Sequence, residues 1–217
     1  MENIVIDVCD LKKVYGEQTV LQDIDIGFEE GSCTGIVGNN GSGKTVLFKC
    51  ICGFVKPTEG YVKVNGKIIG KEVDFIEDAG IIIETPGFIN SLSGLKNLEM
   101  LAALNDKIGR EEIIATLETV GLREAMNKKV KNYSLGIRQR LGIAQAIMER
   151  PGILILDEPF NGLDKIGVVE MRGIIKDMNK DGTTIIISSH NNEDIKELCG
   201  RVIELDGGMI KNDTQYK

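Results

Sequence analysis

The chain has 217 residues, of which 42% are hydrophobic and 27% charged. That composition suits a soluble globular protein with a sizeable core and excludes a low-complexity or disordered chain. With 26 basic and 33 acidic residues the net charge is -7, which argues against a broad nucleic-acid surface. No uninterrupted apolar run approaches the roughly 20 residues needed to cross a bilayer. The start Met1-Glu2-Asn3-Ile4-Val5-Ile6-Asp7 lacks a basic segment followed by a long apolar one, so a cytosolic protein is expected. Cys9, Cys33, Cys50, Cys52 and Cys199 match no metal-ligand spacing and read as buried or idle thiols in a reducing compartment.

Along the chain, Ile4 to Val8, Thr19 to Phe28 and Tyr61 to Val64 read as short strands, the last entering an Asn65-Gly66 turn. They predict an antiparallel patch. Between them, Thr34 to Val37 forms a short buried strand, and Val46, Leu47, Phe48, Ile51 and Cys52 put apolar side chains on one side of a helix. The run joining strand to helix, Gly38-Asn39-Asn40-Gly41-Ser42-Gly43-Lys44-Thr45, fits G-x-x-x-x-G-K-[ST]. Glycines let successive N–H groups curl around phosphates, and the helix N-terminus adds positive potential. Gly38 to Val46 is therefore the candidate nucleotide site, with Lys44 on the β and γ oxygens and Thr45 on Mg²⁺.

From about Leu92 to Glu149 the period becomes helical. Leu95, Leu98, Leu101 and Ala102 share one face, and Ile113, Ile114, Leu117 and Val120 another. A helical subdomain at about residues 90–150, inserted in an α/β core, is predicted. Apolar strands follow at Ile153 to Leu156, Thr184 to Ile187 and Val202 to Leu205, separated by helical stretches such as Val168 to Met178. Strands without period-2 alternation, separated by helices, indicate a mainly parallel buried sheet. The predicted fold is thus a single α/β domain over residues 1–217. It has a P-loop NTPase core, an N-terminal antiparallel β subdomain and the inserted helical subdomain. The strand Ile153 to Leu156 runs into Asp157 and Glu158 at the sheet edge where α/β proteins bind ligands. Asp157 is placed to hold Mg²⁺, and Glu158 to orient or deprotonate the attacking water.

Here the chain resembles the ATP-binding cassette (ABC) ATPases, over essentially its whole length. Tyr133-Ser134-Leu135-Gly136-Ile137-Arg138-Gln139-Arg140 stands at the family's signature segment and Asn161-Gly162-Leu163-Asp164 at its D-loop. The chain's only histidine, His190, closes the strand ending Ile187-Ser188-Ser189. The resemblance implies that Tyr15 stacks on adenine and that His190 contacts the γ-phosphate and water. It also implies that Ser134 and Gly136, at a helix start, face the γ-phosphate bound by a second cassette, which makes an ATP-sandwich dimer. Two positions depart from the family pattern. Leu135 and Ile137 replace the commonest Gly and Gln of the signature, and Glu84, in Ile83-Glu84-Thr85-Pro86-Gly87-Phe88, replaces the Q-loop glutamine. A carboxylate at 84 can still ligate Mg²⁺, while adding negative charge beside the phosphates. This segment and the Tyr-Ser-Leu-Gly signature resemble the cassettes of bacitracin-resistance and lantibiotic-immunity exporters.

The function this implies is the ATP-binding and ATP-hydrolysing subunit of an ABC exporter of an antimicrobial peptide or antibiotic, with ATP and Mg²⁺ bound. Such a subunit acts as a homodimer or paired cassette, peripheral on the cytoplasmic face of the membrane, driving a separate integral membrane permease. The permease would dock near Phe88, Ile89 and Leu92. The alternative is a soluble ABC-type ATPase in cofactor assembly, translation or DNA repair. Repair enzymes of this type carry long coiled coils and the translation factors two cassettes on one chain, and this sequence has neither.

Overall fold

The computed structural model describes residues 3–216. Strands β1 (Ile4–Tyr15) and β2 (Gln18–Glu29) form an antiparallel hairpin, with Ile4 opposite Glu29 and Tyr15 opposite Gln18. The first strand was expected to stop at Val8. It continues because a register shift between Val8 and Leu11, with Asp10 in the left-handed region at φ 47°, breaks the alternation without ending the pairing. The chain then forms β3 (Cys33–Val37), α1 (Lys44–Cys52), β4 (Glu59–Val64) and β5 (Lys67–Ile68). Asn65 and Gly66 join the last two with φ 48° and 80°, the paired positive angles for which an Asn-Gly turn is suited. The first sheet has the order β2-β1-β4-β5 and is antiparallel throughout.

The remaining elements are β6 (Ala79–Ile82), α2 (Gly94–Asn105), α3 (Arg110–Thr119), a 3₁₀ turn at Val130–Asn132, α4 (Leu135–Ile147), β7 (Ile153–Asp157), α5 (Lys165–Lys180), β8 (Thr184–Ser188), α6 (Asn192–Leu198), β9 (Arg201–Asp206) and β10 (Met209–Gln215). The second sheet has the order β10-β9-β3-β8-β7-β6. Its strands β9, β3, β8, β7 and β6 are parallel, and β10 pairs antiparallel at one edge. The mainly parallel sheet is therefore as predicted. Strands β6 and β10 and helix α6 were not anticipated, because each is short or polar.

The core explains why the central strands lack polar alternation. In β7, Ile153 and Ile155 face one apolar cluster with Leu47, Phe48 and Phe28, while Leu154 and Leu156 face a second with Leu98, Leu117 and Leu141. Each fully buried Ile or Leu stabilises the fold by about 1.5–3 kcal/mol relative to exposure. The second cluster joins α2, α3 and α4 to the sheet without interruption. Gly80 allows the closest approach, since a Cβ there would lie 1.9 Å from the Ala146 carbonyl oxygen of α4.

Candidate nucleotide site

Helix α1 begins at Lys44 on Gly43, whose φ is 105° and which supplies no side-chain cap. By contrast, Ser93, Ser134, Asp164 and Asn191 cap α2, α4, α5 and α6 with side-chain oxygens. The first amides of α1 are thus left for an anion. Packing holds the loop in this shape. A Cβ on Gly38 would fall 2.2 Å from Leu205 O, and one on Gly43 would fall 2.6 Å from Leu21 Cδ2. Lys44 is buried, and its ammonium folds back to donate to Gly38 O at 2.7 Å and Asn39 O at 3.2 Å. The buried Ser42 hydroxyl has no hydrogen-bond partner.

The end of β7 completes the site. Thr45 Oγ1 donates to Asp157 Oδ2 at 2.6 Å, and Ser188 Oγ donates to Asp157 Oδ1 at 2.6 Å. Glu158 turns the chain with φ 52°, a strained angle for a non-glycine residue. Its N–H is held by Ser188 Oγ at 3.0 Å and Ser188 O at 3.2 Å. The Glu158 carboxylate accepts from His190 N–H at 3.2 Å through Oε2. Its Oε1 is buried without a hydrogen bond, 3.4 Å from His190 Nε2. Burial pushes the Glu158 carboxyl above its ordinary range, an effect that His190 partly offsets and the Asp157 charge reinforces.

A cavity of about 420 Å³ opens over these groups. It is lined by residues 40–46, Glu84, Asp157, Glu158, Asn161 and His190, so the predicted phosphate, metal and catalytic side chains meet in one place. Glu84, at φ 60°, reaches this rim, but its carboxylate pairs with Lys49 Nζ at 2.7 Å. Gly38 and Asn39 stand behind the lining as the carbonyls that hold Lys44. Tyr15 is exposed at the tip of the first hairpin, outside the lining residues, with Lys13 Nζ 4.7 Å from its ring centroid. Ser134 also lies outside, its hydroxyl accepting from Ile137 N–H at 3.3 Å. Gly136 packs against the next loop, where a Cβ would be 2.9 Å from Gly162 O.

Sequence reasoning missed four contributors. Val20 lines the cavity beside Gly43, Lys49 neutralises Glu84, and Gln139 Nε2 donates to Pro159 O at 2.8 Å behind the Glu158 turn. Ser188 was readable as the first of two serines ending the run Ile185-Ile186-Ile187, a position that needs a buried partner. A larger recess of about 700 Å³ lies between β6 and helices α2 and α4. Ile81, Pro86, Leu101, Leu104, Gly142 and Ala146 are among its walls. Phe88, Ile89 and Leu92, the expected docking residues, do not line it.

The donors suit Mg²⁺. Thr45 and Asp157 present hard oxygens, and among the described residues no group of three or more His, Cys, Asp and Glu side chains could hold a metal ion alone. Mg²⁺ takes one or two protein oxygens and completes its shell with phosphate and water. Among the described residues, no helix is long and apolar enough to cross a membrane.

Comparison with known proteins agrees with this geometry. The family described as ABC transporter matches residues 21–161. The bacitracin transport ATP-binding protein BcrA of Enterococcus faecalis is 42% identical over 197 residues, which cover 90% of this chain and 64% of that protein. The lantibiotic transport ATP-binding protein SrtF of Streptococcus pyogenes is 34% identical over 212 residues, covering 98% of this chain and 91% of that one. A solved ATP-binding subunit of an ABC transporter superposes with a TM-score of 0.87 at 26% identity, covering 97% of this chain and 90% of that chain. The chain belongs to the ABC transporter family, as one of its ATP-binding ATPase subunits.

Proposed function

We propose that this subunit powers export of an antimicrobial peptide or antibiotic, pairing with a second cassette and with a separate integral membrane permease on the cytoplasmic face. The observation that carries the catalytic part is the meeting of Lys44, Thr45, Asp157, Glu158 and His190 around one cavity. Loop amides and Lys44 bind the β and γ phosphates. Thr45 and Asp157 would hold Mg²⁺, which would supply charge neutralisation on those phosphates. Glu158, largely desolvated and with Oε1 not hydrogen-bonded, takes a proton from the attacking water, and His190 orients the γ-phosphate beside it. Tyr15 offers its exposed ring to adenine. The amides at the start of α4, with Ser134 and Gly136, supply the opposing anion site to a partner cassette.

Glu84 is read as a metal ligand that must leave Lys49 to act. The permease is read to dock in the recess between β6, α2 and α4, because the segment Thr85-Pro86-Gly87 forms part of its wall directly after Glu84. The names of BcrA and SrtF support the substrate class. Purification of the tagged chain from detergent-solubilised membranes tests the assembly. Recovery with a polytopic membrane protein and ATP hydrolysis is expected, whereas recovery with ribosomes or DNA contradicts export.

A further inference from the structure

A buried ionic chain runs behind His190. Arg172 on α5 and Asp194 on α6 are 6% and 2% exposed, and they face each other in the interior. Arg172 Nε donates to Asp194 Oδ1 at 2.8 Å, and its Nη2 donates to the same oxygen. The other carboxylate oxygen, Oδ2, accepts from the buried Ser189 hydroxyl. Ser189 Oγ in turn accepts from Asn191 N–H at 3.1 Å. One hydroxyl therefore ties together the two residues that flank His190, and His190 N–H then reaches Glu158 Oε2 at 3.2 Å. Glu193 and Glu197 add charge near the guanidinium, at 3.7 and 3.5 Å.

Two desolvated charges are an expensive way to join two helices, since apolar side chains of the same volume do so at least as well. What the pair does provide is direction. Arg172 engages Oδ1 with two N–H groups while Ser189 engages Oδ2, so the Asp194 carboxylate is held at both of its oxygens. The histidine itself is about half exposed, with its side chain at 53%, so burial does little to hold it. Its backbone is held instead by hydrogen bonds, its own N–H to Glu158 Oε2 and the Ser189 hydroxyl on the Asn191 N–H that follows. We propose that Arg172 and Asp194 are positioning residues for His190, acting through Ser189 to hold its imidazole at the γ-phosphate side of the cavity. This rests on the reading of His190 as the γ-phosphate contact.

The test measures affinity for ADP and for a slowly hydrolysed ATP analogue, together with turnover and thermal melting. The unaltered protein is compared with Ser189→Ala, Asp194→Asn, Arg172→Lys and His190→Ala. ADP has no γ-phosphate, so a positioning role lowers the preference for the ATP analogue over ADP and lowers kcat, on the order of tenfold, while ADP affinity is kept. Arg172→Lys keeps the charge but loses the two-pronged contact, and falls between wild type and Asp194→Asn. The decisive comparison is the double variant. Asp194→Asn added to His190→Ala should cause no further loss of nucleotide preference, because the group being positioned is gone.

If His190→Ala shifts the preference while Ser189→Ala and Asp194→Asn leave it unchanged, the positioning role is overturned. A fall in melting temperature with both nucleotides weakened equally, and with losses that add in the double variant, overturns it too. Unchanged preference in His190→Ala overturns the reading of His190 itself, and the inference with it.

Discussion

Thr45 and Asp157, 112 positions apart in the chain, meet hydroxyl to carboxylate at 2.6 Å. That contact joins the first turn of α1 to the end of β7 and makes one site of two sequence motifs. Asp157 is held from the other side by Ser188, so both oxygens of its carboxylate are engaged by the protein. A rigid, pre-aligned donor set is what phosphoryl transfer requires, since catalysis there is mostly positioning and charge stabilisation.

The division of labour predicts two different defects. Lys44→Ala removes the ammonium held at the loop mouth and should abolish measurable ATP binding. Glu158→Gln keeps every phosphate contact and should bind ATP normally while hydrolysing it at least about 100-fold more slowly. Equilibrium binding and phosphate-release assays on the two purified variants separate these outcomes. Near-normal turnover by Glu158→Gln would remove Glu158 from the reaction.

Burial raises the Glu158 carboxyl, so the charged form is disfavoured in the folded state. The sign follows from linkage. A folded-state pKa above the unfolded value makes the group's contribution most favourable at low pH, and that contribution is lost as pH rises through the folded value. Glu158→Gln carries no such charge. Without nucleotide it should therefore melt higher than wild type at neutral pH, and the gap should close as pH falls through the raised value into the ordinary carboxylate range. Melting curves between about pH 4 and 8, a span from the ordinary carboxylate range past neutrality, check this. A gap that widens on acidification contradicts it.

The Lys49–Glu84 pair predicts opposite effects from its two halves. Glu84→Gln removes a metal-seeking carboxylate and should raise the Mg²⁺ needed for half-maximal activity. Lys49→Met frees the carboxylate and should lower it. The pair is largely exposed at Glu84, so each shift is modest, about two- to fivefold. Mg²⁺ titrations of both variants decide the point, and unchanged requirements would make Glu84 a rim residue with no metal role.

Two glycines should respond in opposite ways. Gly80→Ala drives a methyl group into the Ala146 carbonyl and should destabilise by about 1–3 kcal/mol. Gly173, inside α5 with open space where a Cβ would sit, should tolerate alanine with a gain of about 0.5–1 kcal/mol. Urea unfolding of both variants measures the contrast.

Much of this was legible in the sequence because the signals are local. Loop 38–45 declares itself by glycine spacing, and β7 by four apolar residues ending abruptly in carboxylates. The antiparallel hairpin and the helical stretch were equally readable from their periods. Partnerships across the chain were not readable. Nothing local pairs Lys49 with Glu84 or Arg172 with Asp194, since each contact is made by two elements brought together by the sheet order. β6 escaped because Ala79-Gly80-Ile81-Ile82 is short and carries a glycine, which weakens strand propensity. The sheet tolerates it because that glycine admits α4.

The most direct test of the account is the mass of the Glu158→Gln protein in solution, by light scattering, with and without ATP and Mg²⁺. ATP bound at the loop of one copy and capped by the α4 N-terminus of another should shift the protein from monomer to dimer, and adding Ser134→Arg should block that shift. A mass that does not change with nucleotide, or a nucleotide-driven dimer that Ser134→Arg leaves intact, would contradict it.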